Sequence, residues 1–198
     1  MWRYVEISVF YFKPNIIDPF IIISYDYLKN QKKINLTEIR FFKSESDILE
    51  YIRINKFEMS NHKDDKERSI LLQLENAIND YLTGIIIDLF EEMKSMDVLL
   101  DLRNKFKTDF SQKVINSLIK IRPGESTTYS DIAKKINSKA YRAVGSVLRN
   151  NPLPLIIPCH RVIKQNGKLG GFMGQMDEDW GTNLKRSLLK IEGNIISK

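Results

Sequence analysis

The single cysteine of the chain, Cys159, lies in a short segment whose residue types could carry out nucleophilic chemistry. It follows the apolar run Leu155–Pro158 and precedes His160 and Arg161. The thiolate is the reactive form of cysteine, and nearby imidazole or cationic groups lower the pKa of a thiol. Free cysteine is also among the residues most often buried for packing alone. The proline-framed Cys-His pair favours a reactive nucleophile over a packing role.

The numbers of cysteines and histidines exclude several other kinds of site. One cysteine forms no intramolecular disulfide and supplies no multi-cysteine zinc site. The two histidines, His62 and His160, are far apart in the sequence and show no metal-ligand spacing. We therefore expect no structural metal, and we expect His62 to be exposed in a polar loop.

Length and hydropathy indicate the class of protein. The 198 residues, 42% of them hydrophobic, are enough to fill the core of one large domain or two small ones. The start of the chain, Met1–Tyr4, lacks the long apolar core of a signal peptide. The most apolar stretches, such as Ile21–Ile23 and Ile85–Ile87, are too short to span a bilayer. A soluble cytoplasmic protein without a membrane partner is expected.

Positive charge is concentrated in one part of the chain. The net charge is +6 overall, but Ser111–Gly170 carries eleven lysines and arginines against two acidic residues. The remainder of the chain is slightly acidic. A basic region on such a molecule is typical of a protein that binds a polyanion, although a solvated basic surface has the same composition.

Residues 1–105 are predicted to form an N-terminal α/β domain with a structural role. Three runs rich in Ile, Phe and Tyr are separated by polar turns and predict a small antiparallel sheet: Tyr4–Phe12, Phe20–Leu28 and Ile34–Phe42. Helical spacing follows in Ser44–Ile54 and again from Leu71 to Leu82. The polar stretch Asn61–Lys66 is predicted as a loop, and Met96–Arg103 as a crossing to the second domain.

Residues 106–198 are predicted to form a mostly helical domain. Apolar spacing predicts a helix over Phe110–Ile119. Thr127 or Thr128 can cap the next helix, Tyr129–Ile136, and Lys139–Asn150 forms another after a tight polar turn. Two short helices joined in this way indicate a helix-turn-helix.

The rest of the second domain contains turns and a final helix. Asn166-Gly167 predicts a hairpin within Val162–Leu169, a glycine-rich loop follows, and Leu184–Glu192 is predicted to be helical. The predicted fold class is therefore α+β. A small N-terminal antiparallel sheet with helices precedes a mostly helical, winged helix-turn-helix-like domain that carries Cys159.

Five short motifs follow one another in the second domain: Arg142-Ala143-Val144-Gly145, Asn151-Pro152-Leu153-Pro154, Pro158-Cys159-His160-Arg161-Val162, Gly170-Gly171-Phe172 and Leu188–Gly193. In order and spacing they resemble the O6-alkylguanine-DNA alkyltransferases. The resemblance covers Phe106 to about Gly193, and the pentapeptide around the cysteine with its upstream Asn-Pro is the most specific part. The first half of the chain matches in position and length only.

The resemblance implies a DNA-repair protein that acts once. Such a methyltransferase binds double-stranded DNA as a monomer, rotates an O6-alkylated guanine out of the stack, and moves the alkyl group to its own cysteine without a cofactor. Cys159 would be the nucleophile, His160 would take the thiol proton through a water molecule, and Glu192 would orient the imidazole. Sequence alone also allows Glu192 to be an exposed acid at a helix end, and it favours a structural ion pair for Arg161.

The resemblance also assigns residues around the cysteine and on the DNA. Asn151 matches an asparagine that stabilises the turn beneath the site, and Tyr129 matches a tyrosine that crowds the phosphate and promotes nucleotide rotation. Arg142 matches the arginine that fills the space left by the extruded base. Small residues of its helix, Ala143 and Gly145, then permit close approach to the minor groove, although helix packing would explain them equally well. Positions that match backbone-phosphate contacts are Ser111, Ser130 and Gln165.

Two departures from the family pattern concern the substrate pocket. The family's loop carries a tyrosine and then a small residue against the guanine, whereas Phe172 and Met173 stand there in this chain. The connection Gln175–Asn183 is longer than usual. These differences leave open which size of alkyl group is preferred and whether O4-alkylthymine is also repaired.

Two other classes of function compete with the repair interpretation. A sequence-specific regulator with a helix-turn-helix would account for the basic segment but leaves the proline-framed Cys-His pair unexplained. A cysteine hydrolase would use Cys159 as well, but it lacks a second histidine positioned as a base, because His62 lies outside the matching region. Sequence-tolerant, salt-sensitive DNA binding and a single chemical event distinguish repair from both.

Overall fold

Three long strands form the centre of the first part of the chain in the computed structural model: β1 (Ser8–Phe12), β2 (Phe20–Leu28) and β3 (Lys33–Phe42). They pair antiparallel, with Phe10 opposite Ile23 and Ile23 opposite Ile39. The strands coincide with the apolar runs of the sequence, where β-branched and aromatic residues alternate between two faces. The antiparallel pairing predicted for these three segments is confirmed.

The structure describes residues 7–14, 17, 19–60, 64–85, 88–173 and 178–193. The chain divides into two units, Met1–Asp101 and Leu102–Lys198. Within the described ranges, no helix combines the length and the apolar character needed to cross a membrane.

Two short strands extend the sheet at its edges. Strand β4 (Glu58–Met59) pairs with β1, and β5 (Val98–Leu100) pairs with β3, both in parallel, so the strand order is β4-β1-β2-β3-β5. The sheet is therefore mixed, and the expectation of a wholly antiparallel sheet was wrong at both edges. Strands of two or three residues are too short for alternation to reveal them, and their pairing depends on the open edges of β1 and β3.

Three helices belong to the first unit: α1 (Glu45–Asn55), α2 (Asp65–Leu82) and α3 (Leu89–Met93). Ser44 caps α1 and Asp64 caps α2, each accepting from backbone N–H groups of the first turn. Because of the Asp64 cap, α2 begins well before Leu71, inside the stretch predicted as a loop. His62 and its neighbours in residues 61–63 lie outside the described residues.

Alternate residues of β2 hold helices on the two faces of the sheet. Ile22 packs with Ile48 of α1 in a buried cluster. On the opposite face, Tyr25 Oη donates to Glu67 Oε1 at 2.7 Å and Tyr27 Oη donates to Asp64 Oδ1 at 2.8 Å, so both tyrosines are bonded to the start of α2. The first unit thus has its core on both sides of one sheet.

The second unit is mostly helical, as predicted. Its helices are α4 (Leu102–Lys105), α5 (Asp109–Leu118), α6 (Tyr129–Lys135), α7 (Tyr141–Arg149) and α8 (Glu178–Ile191). Thr128 caps α6, accepting from Asp131 N, and a turn containing Asn137 at φ 55° leads to α7. Helices α6 and α7 form the predicted pair joined by a short turn. With the five-stranded sheet they make the fold α+β.

The predicted hairpin after Cys159 is only partly present. A turn forms at Asn166-Gly167, where Lys164 N donates to Lys168 O at 2.8 Å and Gly167 has φ 79°. No strand returns within residues 164–173. Instead β7 (Val162–Ile163) pairs in parallel with β6 (Thr127–Thr128). The Asn-Gly pair determines a local turn, whereas the strand's partner comes from a segment distant in sequence.

The core between α1 and the sheet provides a test of the fold. Ile48→Ala removes a fully buried side chain, and we expect a loss of about 2–5 kcal/mol in the free energy of unfolding. Urea unfolding followed by circular dichroism measures this change. The neighbouring Leu49 is 55% exposed, and Leu49→Ala is the matched control with an expected change within about 0.5 kcal/mol. Equal losses for the two variants would contradict this placement of α1.

Candidate active site

Asn151 holds the buried loop that leads to Cys159. Its Nδ2 donates to Ile157 O at 3.0 Å and to Cys159 Sγ at 3.2 Å, while its Oδ1 accepts from Leu153 N at 3.0 Å. Leu155 in this loop has φ 74°, a strained backbone for a branched side chain. One amide thus connects both ends of the loop and the sulfur, which is the location that the resemblance implied for Asn151.

Cys159 itself is 5% exposed and begins a short 3-10 turn, Cys159–Arg161. Burial raises the pKa of the Cys159 thiol, and this effect outweighs the lowering caused by the hydrogen bond from Asn151 and by the charge of Lys185. The sequence expectation of a lowered thiol pKa is therefore wrong for the resting protein. The thiol is protonated at rest, so proton removal must accompany any attack by sulfur.

His160 and Arg161 both contact the carboxylate of Glu192. His160 Nε2 lies 3.0 Å from Glu192 Oε1. Arg161 donates from Nε to Oε2 at 2.9 Å and from Nη2 to Oε1 at 2.7 Å, and its Nη1 donates to Ile121 O at 2.6 Å. All three side chains are buried. Arg161 thus has the structural ion-pair role that the sequence favoured.

The charges in this triad determine which nitrogen of His160 is basic. Burial alone would raise the pKa of Glu192, but hydrogen bonds from His160 and Arg161 outweigh burial and lower it to about 2. Burial lowers the pKa of His160, so the imidazole is neutral at pH 7. An ionised Glu192 requires a donor at Nε2, which makes Nδ1 the proton-accepting nitrogen of His160. The arrangement can take up a proton and stabilise the resulting imidazolium.

The end of α8 brings Glu192 to this position. The helix ends at Ile191, and Glu192 N donates to Leu188 O at 3.2 Å. A Cβ on Gly124 would lie 3.2 Å from Glu192 O, and Gly124 has φ 79°, so only glycine suits that close approach. Glu192 is 8% exposed, and the alternative of an exposed acid at a helix end is wrong.

Lys185 is a candidate functional residue that the sequence analysis missed. Its side chain is fully buried, and Nζ donates to Val162 O at 2.5 Å. Burial lowers the pKa of Lys185 to about 8, and its charge favours the thiolate form of Cys159. A lysine on the apolar stripe of α8, two helical turns before Glu192, is the signal that could have identified it.

Tyr129 occupies the space between α7 and the loop after β7. A Cβ on Gly145 would lie 3.9 Å from the Tyr129 ring, and a Cβ on Gly170 would lie 3.3 Å from Tyr129 Oη. Burial raises the pKa of the Tyr129 phenol, and the charge of an ionised Cys159 raises it further. Tyr129 therefore lies within electrostatic reach of the cysteine.

Five of the six other residues predicted to contact DNA are exposed or partly exposed near these elements. Arg142 is exposed on α7, and Ala143 and Gly145 are partly exposed on the same helix. Ser130 of α6 and Gln165 come together, with Ser130 Oγ donating to Gln165 Oε1 at 3.4 Å. Gly145 has room for a methyl group, so contact with Tyr129 does not require glycine there.

Ser111 is the exception, because the structure buries it. Its Oγ accepts from Thr108 N at 3.2 Å, and its N–H donates to Thr108 Oγ1 at 3.1 Å, which forms a capping box at the start of α5. The side chain is 8% exposed and engaged in capping. The Ser111 side chain thus belongs to the cap of α5, and the phosphate contact of this position stays a prediction.

Phe172 lies beside the histidine of the triad. Its ring is 3% exposed and meets His160 edge-on, with ring centroids 6.5 Å apart. A Cβ on Gly181 of α8 would lie 3.4 Å from Phe172 O, so the helix approaches this loop closely. Met173 follows with φ 54°, in the left-handed region. Residues 175–177 of the connection to the last helix lie outside the described residues. Residues 178–183 belong to α8, which begins at Glu178, so the expectation that the helix begins at Leu184 was wrong.

No cluster of three or more metal-ligating side chains occurs among the described residues. The chemistry available to this site is that of a buried thiol, a neutral imidazole, a carboxylate and a buried ammonium group.

The Glu192 carboxylate supports a pH prediction. Glu192→Gln breaks the buried pair with Arg161, and we expect a loss of about 3–5 kcal/mol in the free energy of unfolding at pH 7. The folded pKa of Glu192 lies below its ordinary value of 4.5, so its stabilisation is complete above about pH 4.5 and is lost as pH falls toward 2. Urea unfolding at pH 7, 4.5 and 3 should show the difference between wild type and variant shrinking.

The exposed Glu125 offers the matched control for this measurement. We expect Glu125→Gln to change the free energy of unfolding by less than about 0.5 kcal/mol at every pH. A wild-type minus Glu192→Gln difference that stays constant from pH 7 to 3 would contradict the lowered pKa of Glu192.

Comparison with known proteins agrees with the motifs and with this geometry. Residues 109–194 match the family described as 6-O-methylguanine DNA methyltransferase, DNA binding domain. The methylated-DNA–protein-cysteine methyltransferase of Methanosarcina mazei is 38% identical over 130 residues, which cover 65% of this chain and 72% of that protein. The constitutive methylated-DNA–protein-cysteine methyltransferase of Bacillus subtilis is 34% identical over 154 residues, 77% of this chain and 81% of that protein.

A solved structure extends the likeness to both units. The crystal structure of Mycobacterium tuberculosis OGT in complex with DNA superimposes with a TM-score of 0.63 at 26% identity, covering 94% of this chain and 93% of that one. The resemblance drawn from the sequence motifs is thereby confirmed. The chain belongs to the methylated-DNA–protein-cysteine methyltransferase family.

Proposed function

We propose that this DNA-repair methyltransferase moves an alkyl group from O6 of guanine in duplex DNA to Cys159 in one stoichiometric event. The observation that carries the proposal is the buried Cys159 sulfur, held at 3.2 Å by Asn151 Nδ2 beside the His160–Glu192 pair. Sulfur attacks the alkyl carbon, and the S–C bond forms as the C–O6 bond breaks. The electron pair of that bond stays with the guanine.

Proton movement follows from the pKa directions in the site. The thiol is protonated at rest because burial raises its pKa, and His160 is neutral because burial lowers its pKa. The thiol proton passes through a water molecule to Nδ1 of His160, and Glu192 stabilises the imidazolium through Nε2. The buried charge of Lys185 favours the developing thiolate. The imidazolium of His160 then returns a proton through water to the departing guanine, which leaves a neutral base and a neutral imidazole.

The chemistry explains why the protein acts once. Transfer converts Cys159 to a thioether, which has no ionisable proton and does not leave sulfur readily. The chain contains no second cysteine that could remove the alkyl group. The proposed protein acts as a monomer, because one thiol and one DNA-binding surface suffice for each repair event. Its proposed location is the cytoplasm.

The second unit supports binding of duplex DNA along α6 and α7. Ten of the eleven basic residues in Ser111–Gly170 are exposed, and Arg161 is the one that is buried. Helix α7 presents Arg142 beside the small residues Ala143 and Gly145, and Gly145 is not required by contacts within the chain. A small-residue helix edge suits the narrow minor groove, where binding depends little on sequence.

Extrusion of the base from the stack completes the proposed mechanism. Cys159 is too deeply buried to reach an atom inside an intact duplex, so the alkylated guanine must leave the stack to meet it. Arg142 fills the space left behind, and Tyr129 crowds the phosphate. Ser130 and Gln165 contact backbone phosphates, while Phe172 and Met173 line the pocket for the guanine.

Intact mass tests the transfer directly. Mixing the protein with excess duplex carrying one O6-methylguanine should add one methyl group per chain, and peptide mapping should locate it on Cys159. Cys159→Ser should abolish transfer while leaving DNA affinity within about twofold, because the sulfur is buried away from the DNA-binding surface. Repeated turnover would instead indicate a hydrolase, and binding without transfer would indicate a lesion sensor or a regulator.

Base extrusion by Arg142 has a separate test. Arg142→Ala should slow repair of duplex DNA about tenfold or more, since base extrusion costs a few kcal/mol that the arginine offsets. Reaction with free O6-benzylguanine should fall much less, because no base has to leave a stack. Single-turnover rates on the two substrates provide the comparison, with Arg53→Ala on the exposed side of α1 as control. Equal losses on both substrates would remove Arg142 from this role.

A further inference from the structure

Tyr141 is an aromatic side chain that neither the core nor the active site uses. It opens α7 and is 50% exposed, and it is the one aromatic residue in the exposed class within the described ranges. Neighbouring apolar positions of the helix, Val144 and Leu148, are fully or nearly buried. An exposed aromatic ring at the start of a helix with a buried apolar face has no folding role to explain it.

Helical spacing places Tyr141 on the same edge of α7 as Gly145. Residues four apart on a helix are neighbours, so Tyr141 lies directly beside Gly145. A Cβ on Gly145 would be 3.9 Å from the Tyr129 ring, and Tyr129 lies within electrostatic reach of Cys159. Gly145, which carries no side chain, is therefore a neighbour of both Tyr141 and Tyr129.

The guanidinium of Arg142 lies beside the same ring. Arg142 Cζ is 6.0 Å from the centroid of the Tyr141 ring, at the outer limit of a cation–π contact. The start of α7 therefore presents a planar cation and an aromatic ring together, both exposed. Arginine planes and aromatic rings are the two kinds of surface on which proteins stack nucleobases.

We propose that Tyr141 is a DNA-contacting residue whose ring stacks on a nucleotide next to the extruded one, beside Arg142. The inference rests on the proposed function for the location of the extruded base. When a base leaves the stack, the bases beside it are left with an uncovered face. The Tyr141 ring and the Arg142 guanidinium together cover more of that face than Arg142 alone. Stacking of a ring on a base is largely independent of sequence, as lesion repair requires.

Affinity for duplex DNA with one abasic site, beside which the neighbouring bases have an unstacked face, tests the contact without requiring any methyl transfer. Tyr141→Ala should weaken binding about tenfold, as expected for loss of one base–aromatic stack. Tyr141→Phe should bind within about twofold of wild type, because stacking needs the ring and not the hydroxyl. Leu72→Ala, a truncation of a 56% exposed apolar residue in α2, is the matched control and should leave affinity unchanged.

Salt dependence separates a stacking contact from a charge contact. The slope of log affinity against log salt should be unchanged in Tyr141→Ala and should fall by about 1 in Arg142→Ala, because only the arginine releases a counterion. Tyr141→Ala should also weaken binding further in the Arg142→Ala background. No further loss there would mean that Tyr141 acts only by holding Arg142, and the proposal would be wrong.

A spectroscopic readout reports the stacking itself. Tyr141→Trp adds an indole to the two tryptophans of the wild type, Trp2 and Trp180. The fluorescence that the variant has in excess of the wild type should be quenched when the abasic duplex is added. Unquenched fluorescence, or wild-type affinity in Tyr141→Ala, would overturn the proposal. Because these measurements use abasic DNA, which carries no methyl group, a protein that binds in this way but transfers no methyl group from O6-methylguanine would refute the proposed function and leave the role of Tyr141 standing.

Discussion

The buried carboxylate of Glu192 is the interaction on which the rest of the second unit depends. It accepts hydrogen bonds from Arg161 and His160, so it joins the end of α8 to the turn that contains the cysteine. A carboxylate and a guanidinium removed from water are costly unless each satisfies the other with good geometry. Arg161 achieves this by bonding both oxygens of Glu192 and also Ile121 O. The same contact keeps Nδ1 of His160 as the basic nitrogen, so structural stability and the proposed proton transfer share one group.

Burial of the cysteine has two opposing consequences. It raises the pKa of the thiol, which keeps the nucleophile protonated and protects it from adventitious alkylation or oxidation at rest. The same burial places Asn151 Nδ2 against sulfur and Lys185 nearby, so that the thiolate is stabilised in a region of low dielectric constant once the proton leaves. For the proposed single transfer, this combination keeps the thiol unreactive until a substrate fills the pocket.

Particular elements show how far the sequence could predict the fold. Long periodic segments such as β2, α5 and α8 were recognisable because burial of one face imposes a period that the residues must follow. Strands β4 and β5 were not, because two or three residues show no period and their pairing depends on edges formed elsewhere. The start of α2 was missed because one cap, Asp64, overrides a polar stretch that otherwise looks like a loop. The turn at Asn166-Gly167 was predicted correctly, but the second strand of the expected hairpin is absent. Strand β7 pairs instead in parallel with β6.

The sequence by itself determined the family and identified Cys159 and His160 as the candidate nucleophile and its partner, because a proline-framed Cys-His segment and an upstream Asn-Pro have few other chemical uses. It also determined the basic character of the region around them. Only the tertiary structure decided that Glu192 is buried rather than exposed, that Ser111 belongs to the capping box of α5, and that the charge of Lys185 acts on the sulfur. It also decided the protonation state of Cys159. Whether a side chain is buried, and which groups it contacts, depends on residues that are far apart in the chain. The pKa of a buried group is the net result of its desolvation and of these contacts, so a local sequence pattern does not reveal it.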